Sequence, residues 1–317
     1  MNPESQTSLP LPAGEGRGEG MNPTPKPSPL AAWFLATRPR TLVAGFIPVA
    51  VGSAVAYRDH VFALLPALAA LIGALLIQIG TNLANDYFDF KRGADTADRL
   101  GPPRATQQGW LSPDAVFRGA MTCFGLAFVV GMYLVSVAGW PLVVIGLCSL
   151  AAGYAYTGGP FPLAYNGLGD LFVLVFFGFV AVGGTYFVQG QSVSTTTLFA
   201  AVPVGLLGVA LLAVNNTRDE KTDAAVGKKT LVVRFGPSFG KVEYVSCLIL
   251  SALTPLVLWL SGITGPLVML SWLAIPLAIP PLRLLFTQTG AALNAALAGT
   301  ARLQLVFGLL FAVGLAQ

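Results

Sequence analysis

Beyond residue 39 the chain alternates long apolar runs with short polar breaks. Nine runs are predicted as membrane-crossing helices, near 40–57, 61–85, 115–138, 140–157, 168–188, 196–216, 242–261, 264–286 and 297–316. A hydrocarbon core of roughly 30 Å takes about 20 helical residues. Three of the breaks, Arg58-Asp59-His60, Ala138-Gly139-Trp140 and residues 261–265, leave room only for tight reversals, so the helices they join should run antiparallel. The expected fold class is therefore all-α, an integral membrane bundle of nine transmembrane helices over residues 30–317. Residues 1–29 are rich in Pro, Gly, Ser and Glu and hold no apolar core, so a disordered tail is expected there. Within that tail, residues 14–20 alternate glycines, but no strand precedes them and no apolar helix follows, which argues against a phosphate loop. Met1-Asn2-Pro3 recurs as Met21-Asn22-Pro23, which makes Met21 the expected native start.

Composition agrees with the pattern. Hydrophobic residues make up 55% of the chain and charged residues 10%, with a mean hydropathy of +0.71. A soluble domain carries about 25% charged residues, so a water-facing surface is excluded. Cys123, Cys148 and Cys247 sit singly in apolar runs with no metal-binding or redox spacing, and His60, in a short loop, is the only histidine. Nothing in the chain points to a nucleic-acid partner; the expected surroundings are a lipid bilayer. With nine spans, 17 of the 18 Lys and Arg residues fall on one side, and Arg58 alone lies opposite. The positive-inside rule places that basic side, with the N-terminus, in the cytoplasm of a cell inner membrane.

The acidic residues are few and clustered. The second span ends in Asn82, Asn85, Asp86 and Asp89, followed by Asp95 and Asp98; the sixth ends in Asn215, Asp219 and Asp223. Spacings of three and four residues put each set on one helical face. Both sets lie at the cytoplasmic ends of even-numbered spans, so both can open into one cavity. They could be ordinary loop acids or helix caps. Two clusters that share an Asn-x-x-x-Asp opening, each followed by Lys and Arg, favour a functional pair, because ionisable groups near membrane depth are costly. Carboxylate oxygens suit hard cations, and Mg²⁺ takes one or two of them together with substrate phosphates. The residues thus suit an enzyme that handles a lipid diphosphate, with Mg²⁺ as cofactor and an apolar cavity for the tail.

Residues 82–95 (NLANDYFDFKRGAD) resemble the first aspartate-rich motif of UbiA-type membrane prenyltransferases, and residues 215–236 (NNTRDEKTDAAVGKKTLVVRFG) resemble the second. The likeness runs from about residue 32 to the C-terminus. Further segments are similar to the 1,4-dihydroxy-2-naphthoate branch of that family: Arg38-Pro39-Arg40-Thr41, residues 101–105 (GPPRA), residues 156–160 (YTGGP), and residues 165–170 (YNGLGD) with Phe176-Phe177-Gly178 and Gly184-Thr185-Tyr186 beyond. The resemblance implies transfer of a polyprenyl group from a polyprenyl diphosphate to 1,4-dihydroxy-2-naphthoate, with loss of CO₂ and diphosphate. It assigns Asn82, Asp86, Asp89, Asp95, Asp219 and Asp223 to Mg²⁺–diphosphate binding, supported by Asn85 and Asn215. Lys228, then Lys91, would contact diphosphate oxygens. Arg38 and Arg104 are candidates for the ring carboxylate, and Tyr154, Tyr156 and Asp170 for the acceptor pocket; for these five a packing or loop-anchoring role is the alternative. Pro39 is expected to hold Arg38 extended. Glu220-Lys221 departs from many relatives, but the flanking aspartates are intact.

Two rivals remain at this stage. Within the family the acceptor could be 4-hydroxybenzoate, homogentisate or a haem precursor, against which the residue 101–104 and 156–160 segments argue. From another class, a cation-coupled transporter would place its ionisable groups near the bilayer midplane and show internal repeats; here the acids sit at one edge. Prenyl chain length, the aromatic ring that stabilises the cation and the oligomeric state are not encoded in any of these patterns.

Overall fold

The structure is a computed structural model that describes residues 27–95 and 99–317. Residues 1–26 of the expected tail, with the glycine run and the Met21 start, and Asp98 fall outside those residues; the tail's last residues, Ser28 and Pro29, instead cap and open α1. The described chain is helical throughout: α1 (Pro29–Ala36), α2 (Val43–Arg58), α3 (Leu64–Lys91), α4 (Pro113–Ala138), α5 (Pro141–Ala155), α6 (Gly169–Val173), α7 (Ala181–Gly190), α8 (Thr195–Ala225), α9 (Leu231–Phe235), α10 (Pro237–Leu260), α11 (Ile279–Thr287) and α12 (Leu293–Leu315). A π-helical stretch, Leu174–Val180, joins α6 to α7 in one rod, and a 3₁₀ stretch, Pro266–Ala278, runs straight into α11.

Local sequence sets these limits. Ser112, Ser194 and Thr230 cap α4, α8 and α9 by accepting the backbone N–H three residues on, and Pro occupies the first turn of α4, α5 and α10. Pro276, Pro280 and Pro281 lack the N–H that an α-helix needs, which accounts for the 3₁₀ geometry before α11.

Seven of the described helical rods are long and apolar enough to cross a membrane, and α1 with α2 forms an eighth, bent by 51°. The ninth expected span corresponds to α5, which at 15 residues is short of a full ~30 Å crossing. The first span also begins earlier than the apolar pattern implied, because α1 packs against α3 before the chain bends. Around the bundle, Leu68, Ile72, Val129, Met132, Leu147, Leu250, Val257 and Leu273 stand exposed, an apolar belt that suits lipid and not water.

The central helix is α8, which packs against α2, the α6–α7 rod, α10 and α12. One buried cluster gathers Ile47, Val51, Val182, Val204, Phe307 and Phe311 around its first half; a second gathers Val209, Ala213, Tyr244, Leu285 and Leu293 around its second half. At one end of the bundle Arg58 donates from Nη1 to the Thr196 hydroxyl (3.0 Å) and from Nη2 to the Ile263 carbonyl, joining three reversals. The acidic ends of α3 and α8 lie at the opposite end.

Candidate active site

The last turns of α3 point Asn82, Asn85, Asp86 and Asp89 inward, all buried. Asn82 donates from Nδ2 to the Thr37 carbonyl and the Thr41 hydroxyl, both at 2.9 Å, which fixes the turn that carries Arg38. Asn85 accepts the Thr157 hydroxyl at 2.7 Å. Asp86 faces the 104–106 segment, where it accepts the N–H groups of Ala105 (3.0 Å) and Thr106 (3.4 Å) and the Thr106 hydroxyl. Arg104, so held, pairs with Asp89 at 2.8 Å and Asp95 at 3.2 Å and donates to the Asn85 carbonyl at 2.5 Å. Burial alone would lower the Arg104 pKa, but the carboxylates of Asp89, Asp95 and Asp86 lift it above its ordinary value. Burial raises the Asp95 pKa even though Arg104 and Arg99 oppose the shift.

On α8, Asn215, Asp219 and Asp223 line the same cavity as Asp89. The Lys228 ammonium bridges the two helices, 3.3 Å from Asp223 and 3.9 Å from Asp89, and lies 5.0 Å from the Tyr165 ring centre. Tyr165 donates its hydroxyl to Asp89 at 2.8 Å, and burial together with that carboxylate raises the Tyr165 pKa. Buried Arg218 grips Asp219 with two hydrogen bonds of 2.7 and 2.6 Å and reaches Asn215 and Asn294, each at 2.8 Å. Asn294 in turn donates to the Leu100 carbonyl at 2.7 Å, so α8, α12 and the 99–104 segment form one network.

These walls enclose a polar cavity of 260 Å³, and an apolar cavity of 540 Å³ adjoins it. Ala44, Gln78, Thr81, Tyr156, Val173 and Phe177 line both. From that shared waist the apolar cavity runs between α3, α4, α5 and the α6–α7 rod as far as Leu134, Leu142 and Val188. A charged head and a long hydrocarbon tail have adjoining places in this arrangement.

Residues 45–306 match the UbiA prenyltransferase family. The chain is 34% identical over 281 residues to the 1,4-dihydroxy-2-naphthoate octaprenyltransferase of Bacillus subtilis, which covers 88% of this chain and 90% of that one. To the enzyme of the same name from Escherichia coli it is 37% identical over 295 residues, 90% of this chain and 94% of the other. The chain belongs to the UbiA prenyltransferase family. Its fold is also that of a solved UbiA homologue from Archaeoglobus fulgidus bound to GPP and Mg²⁺, with a TM-score of 0.63 at 15% identity over 90% of this chain and 99% of that one.

Within this UbiA-type framework the residues singled out from sequence divide. Arg38, Asn82, Asn85, Asp89, Arg104, Tyr156, Asp170, Asn215, Asp219, Asp223 and Lys228 line the polar cavity. Asp95 stands behind Arg104 and Arg99. Asp86 is engaged by the 104–106 segment, Lys91 is exposed over the Tyr87 ring at 5.7 Å, and Tyr154 packs edge-on against Phe88. Arg38 is not extended as Pro39 led us to expect: its φ of 52° and ψ of 68° are left-handed, a costly conformation for arginine, and Asn82 holds the turn that imposes it. Arg218, Arg99, Tyr165, Thr106 and Thr157 join the site without having been picked out. Arg218, Tyr165 and Thr157 lie inside segments that carry the resemblance but had no role of their own there, whereas Arg99 and Thr106 meet the site through folding alone.

The donor set fits magnesium bridged by phosphate. Among the described residues no three carboxylates converge as a protein-only cage, and Mg²⁺ typically takes one or two carboxylates with phosphate and water. Asp89, Asp219 and Asp223 line the cavity, and each would share its carboxylate between the metal and the cation beside it.

Proposed function

We propose that this chain transfers a polyprenyl group from an allylic polyprenyl diphosphate to 1,4-dihydroxy-2-naphthoate, releasing CO₂ and diphosphate and giving demethylmenaquinol. The observation that carries the reading is the pair of adjoining cavities, one lined by carboxylates and cations, the other apolar, meeting at Tyr156 and Phe177. Both relatives described above bear the name of this activity over nearly their whole length.

The diphosphate belongs in the polar cavity, where Lys228 lies between the two acidic helices and can donate to its oxygens. Asp89, Asp219 and Asp223, with Asp95 behind them, are the residues that would hold Mg²⁺ through the diphosphate. Bound there, Mg²⁺ neutralises the charge that develops on the departing diphosphate. The prenyl tail lies in the apolar cavity, which places the allylic carbon at the waist. Aromatic faces there, Tyr156 and Phe177, can stabilise a delocalised cation. Arg38 supplies the anchor for the ring carboxylate: its Nη2 is enclosed and has no partner, and a guanidinium matches a carboxylate with two parallel hydrogen bonds. The basic side of the bundle, with this site, faces the cytoplasm of the cell inner membrane.

Mass spectrometry of products tests the reading. Purified protein in lipid vesicles with Mg²⁺, a mixture of prenyl diphosphates and equal amounts of dihydroxynaphthoate, 4-hydroxybenzoate and homogentisate should yield prenylated, decarboxylated naphthoquinol as the main product. A main product from either other acceptor would overturn it.

A further inference from the structure

Asp170 stands apart from the other carboxylates of the polar cavity. Asp89, Asp219 and Asp223 each pair with a cation. Asp170 takes part in no ion pair among the described residues, is 7% exposed, and has an enclosed Oδ1 that no donor reaches. An enclosed carboxylate oxygen without a donor is costly unless something else brings one.

Its surroundings say what that donor is. Asp170, Val173 and Phe177 follow one another along one face of the α6–α7 rod, and all three line the polar cavity, the latter two at the waist. Gly169 leaves room beside Asp170 for the Tyr156 ring; a Cβ there would come within 3.2 Å of the Tyr156 hydroxyl. Asp170 therefore sits next to the waist, in the cavity that also holds the unpartnered Arg38 Nη2. The proposed acceptor, with its carboxylate on Arg38, brings two ring hydroxyls, and the one ortho to the carboxylate is the donor whose ionisation makes the carboxyl-bearing carbon nucleophilic.

We propose that Asp170 is the proton acceptor for the ring hydroxyl adjacent to the carboxyl-bearing carbon, an inference that rests on the function proposed above. The carboxylate takes the hydroxyl proton, and the O–H electron pair moves into the ring as the carbon bearing the carboxylate forms a bond to the allylic carbon. The allylic C–O bond breaks, and its electron pair leaves with diphosphate. The ring is now a β-keto acid. Its C–CO₂ bond breaks, the electron pair restores the aromatic ring as a phenolate, and Asp170 returns the proton to that oxygen. No outside oxidant or reductant is required, and Asp170 ends as it began. Positioned general bases contribute about 10²–10⁴-fold.

The test uses the full chain in lipid vesicles with farnesyl diphosphate, comparing wild type with Asp170→Asn, Asp170→Ser and Asp170→Glu. Binding of farnesyl thiodiphosphate, which does not ionise readily, reports an intact diphosphate site. The expected result for Asn and Ser is a kcat about 100-fold lower or less, with farnesyl diphosphate KM and thiodiphosphate binding within about threefold of wild type. Glu, which keeps a carboxylate, should exceed both. A nitro-substituted dihydroxynaphthoate whose hydroxyl is already ionised at the assay pH should recover most of the lost rate, a rescue that a merely structural Asp170 would not give. The proposal is overturned by near-wild-type turnover of Asn or Ser, by equal loss with both acceptors, or by loss of thiodiphosphate binding in both. Failure of the wild type to prenylate dihydroxynaphthoate would instead overturn the function on which the proposal rests.

Discussion

Arg104 pairs with Asp89 and Asp95 and donates to the Asn85 carbonyl, while its Nε has no hydrogen-bond partner. Arg38 lines the same cavity with Nη2 unpartnered. The resemblance offered both as ligands for the ring carboxylate, and the hydrogen bonds favour Arg38. Replacing it by lysine keeps the charge and removes the planar fork. Arg38→Lys should raise the ring KM about tenfold, the loss of one charge-assisted hydrogen bond, while the prenyl diphosphate KM stays within about twofold. Steady-state kinetics with each substrate varied in turn decides it, and an unchanged ring KM in a well-expressed variant sinks the idea. Asp86 makes a different prediction. Asp86→Ala leaves the Ala105 and Thr106 N–H groups buried without an acceptor, at about 1–3 kcal/mol each. It should lower the thermal midpoint as well as turnover, whereas Asp223→Ala, whose partner Lys228 keeps Asp89 beside it, should lose turnover at limiting Mg²⁺ with a smaller change in midpoint. Equal thermal midpoints for the two variants would show that the 104–106 segment does not depend on Asp86.

Among the elements, the acidic ends of α3 and α8 were legible because i, i+3, i+4 spacing is a local property, and local periodicity survives folding. Asn82, Asp89, Asn215, Asp219 and Asp223 do share one cavity. What periodicity could not supply were partners distant in sequence: Tyr165 on Asp89, Thr157 on Asn85, Asn294 on Arg218. Each depends on where a loop or another helix comes to rest. The π-helical stretch was equally hidden, since Leu174–Val180 reads as an ordinary apolar run. Its position depends on a close approach to α8: a Cβ on Gly205 would lie 2.8 Å from the Leu174 carbonyl oxygen and 3.1 Å from the Gly178 Cα. Gly205→Ala should therefore push the rod off α8, at about 1–3 kcal/mol for an overpacked site, and displace Asp170, Val173 and Phe177 with it. Thermal unfolding in detergent should show a lower midpoint and product assays a lower kcat. A variant with wild-type values in both would mean that the two helices can separate without cost.

At the scale of the molecule, charge and geometry divide the bundle in the same way. The polar cavity gathers Arg38, Arg99, Arg104 and Lys228 at one end, the end at which α3 and α8 finish. The other end holds Arg58, which ties the α2–α3, α7–α8 and α10–α11 connections together through Thr196 and Ile263. Arg58 is the one basic residue that the span count left on that side, and its hydrogen bonds give it a structural use there, so it does not weaken the 17-to-one asymmetry of Lys and Arg. The proposed cytoplasmic placement of the basic end rests on positive-inside bias, because basic residues in short connections resist translocation. Labelling tests the orientation directly. In a variant lacking Cys123, Cys148 and Cys247, single cysteines at exposed positions within residues 91–109 or 221–240, such as Gln108, Lys221 or Lys229, should react with a membrane-impermeant maleimide only when the cytoplasmic face is exposed, as in inverted vesicles. Cysteines placed in residues 190–195 should react in intact, right-side-out preparations. Mixed reactivity at any one position would mean that two orientations coexist. A clean reversal would put the diphosphate site on the outer face, where a substrate made in the cytoplasm could not reach it without crossing the membrane, and the nine-span, N-inside reading would fall together with the cytoplasmic placement of the site.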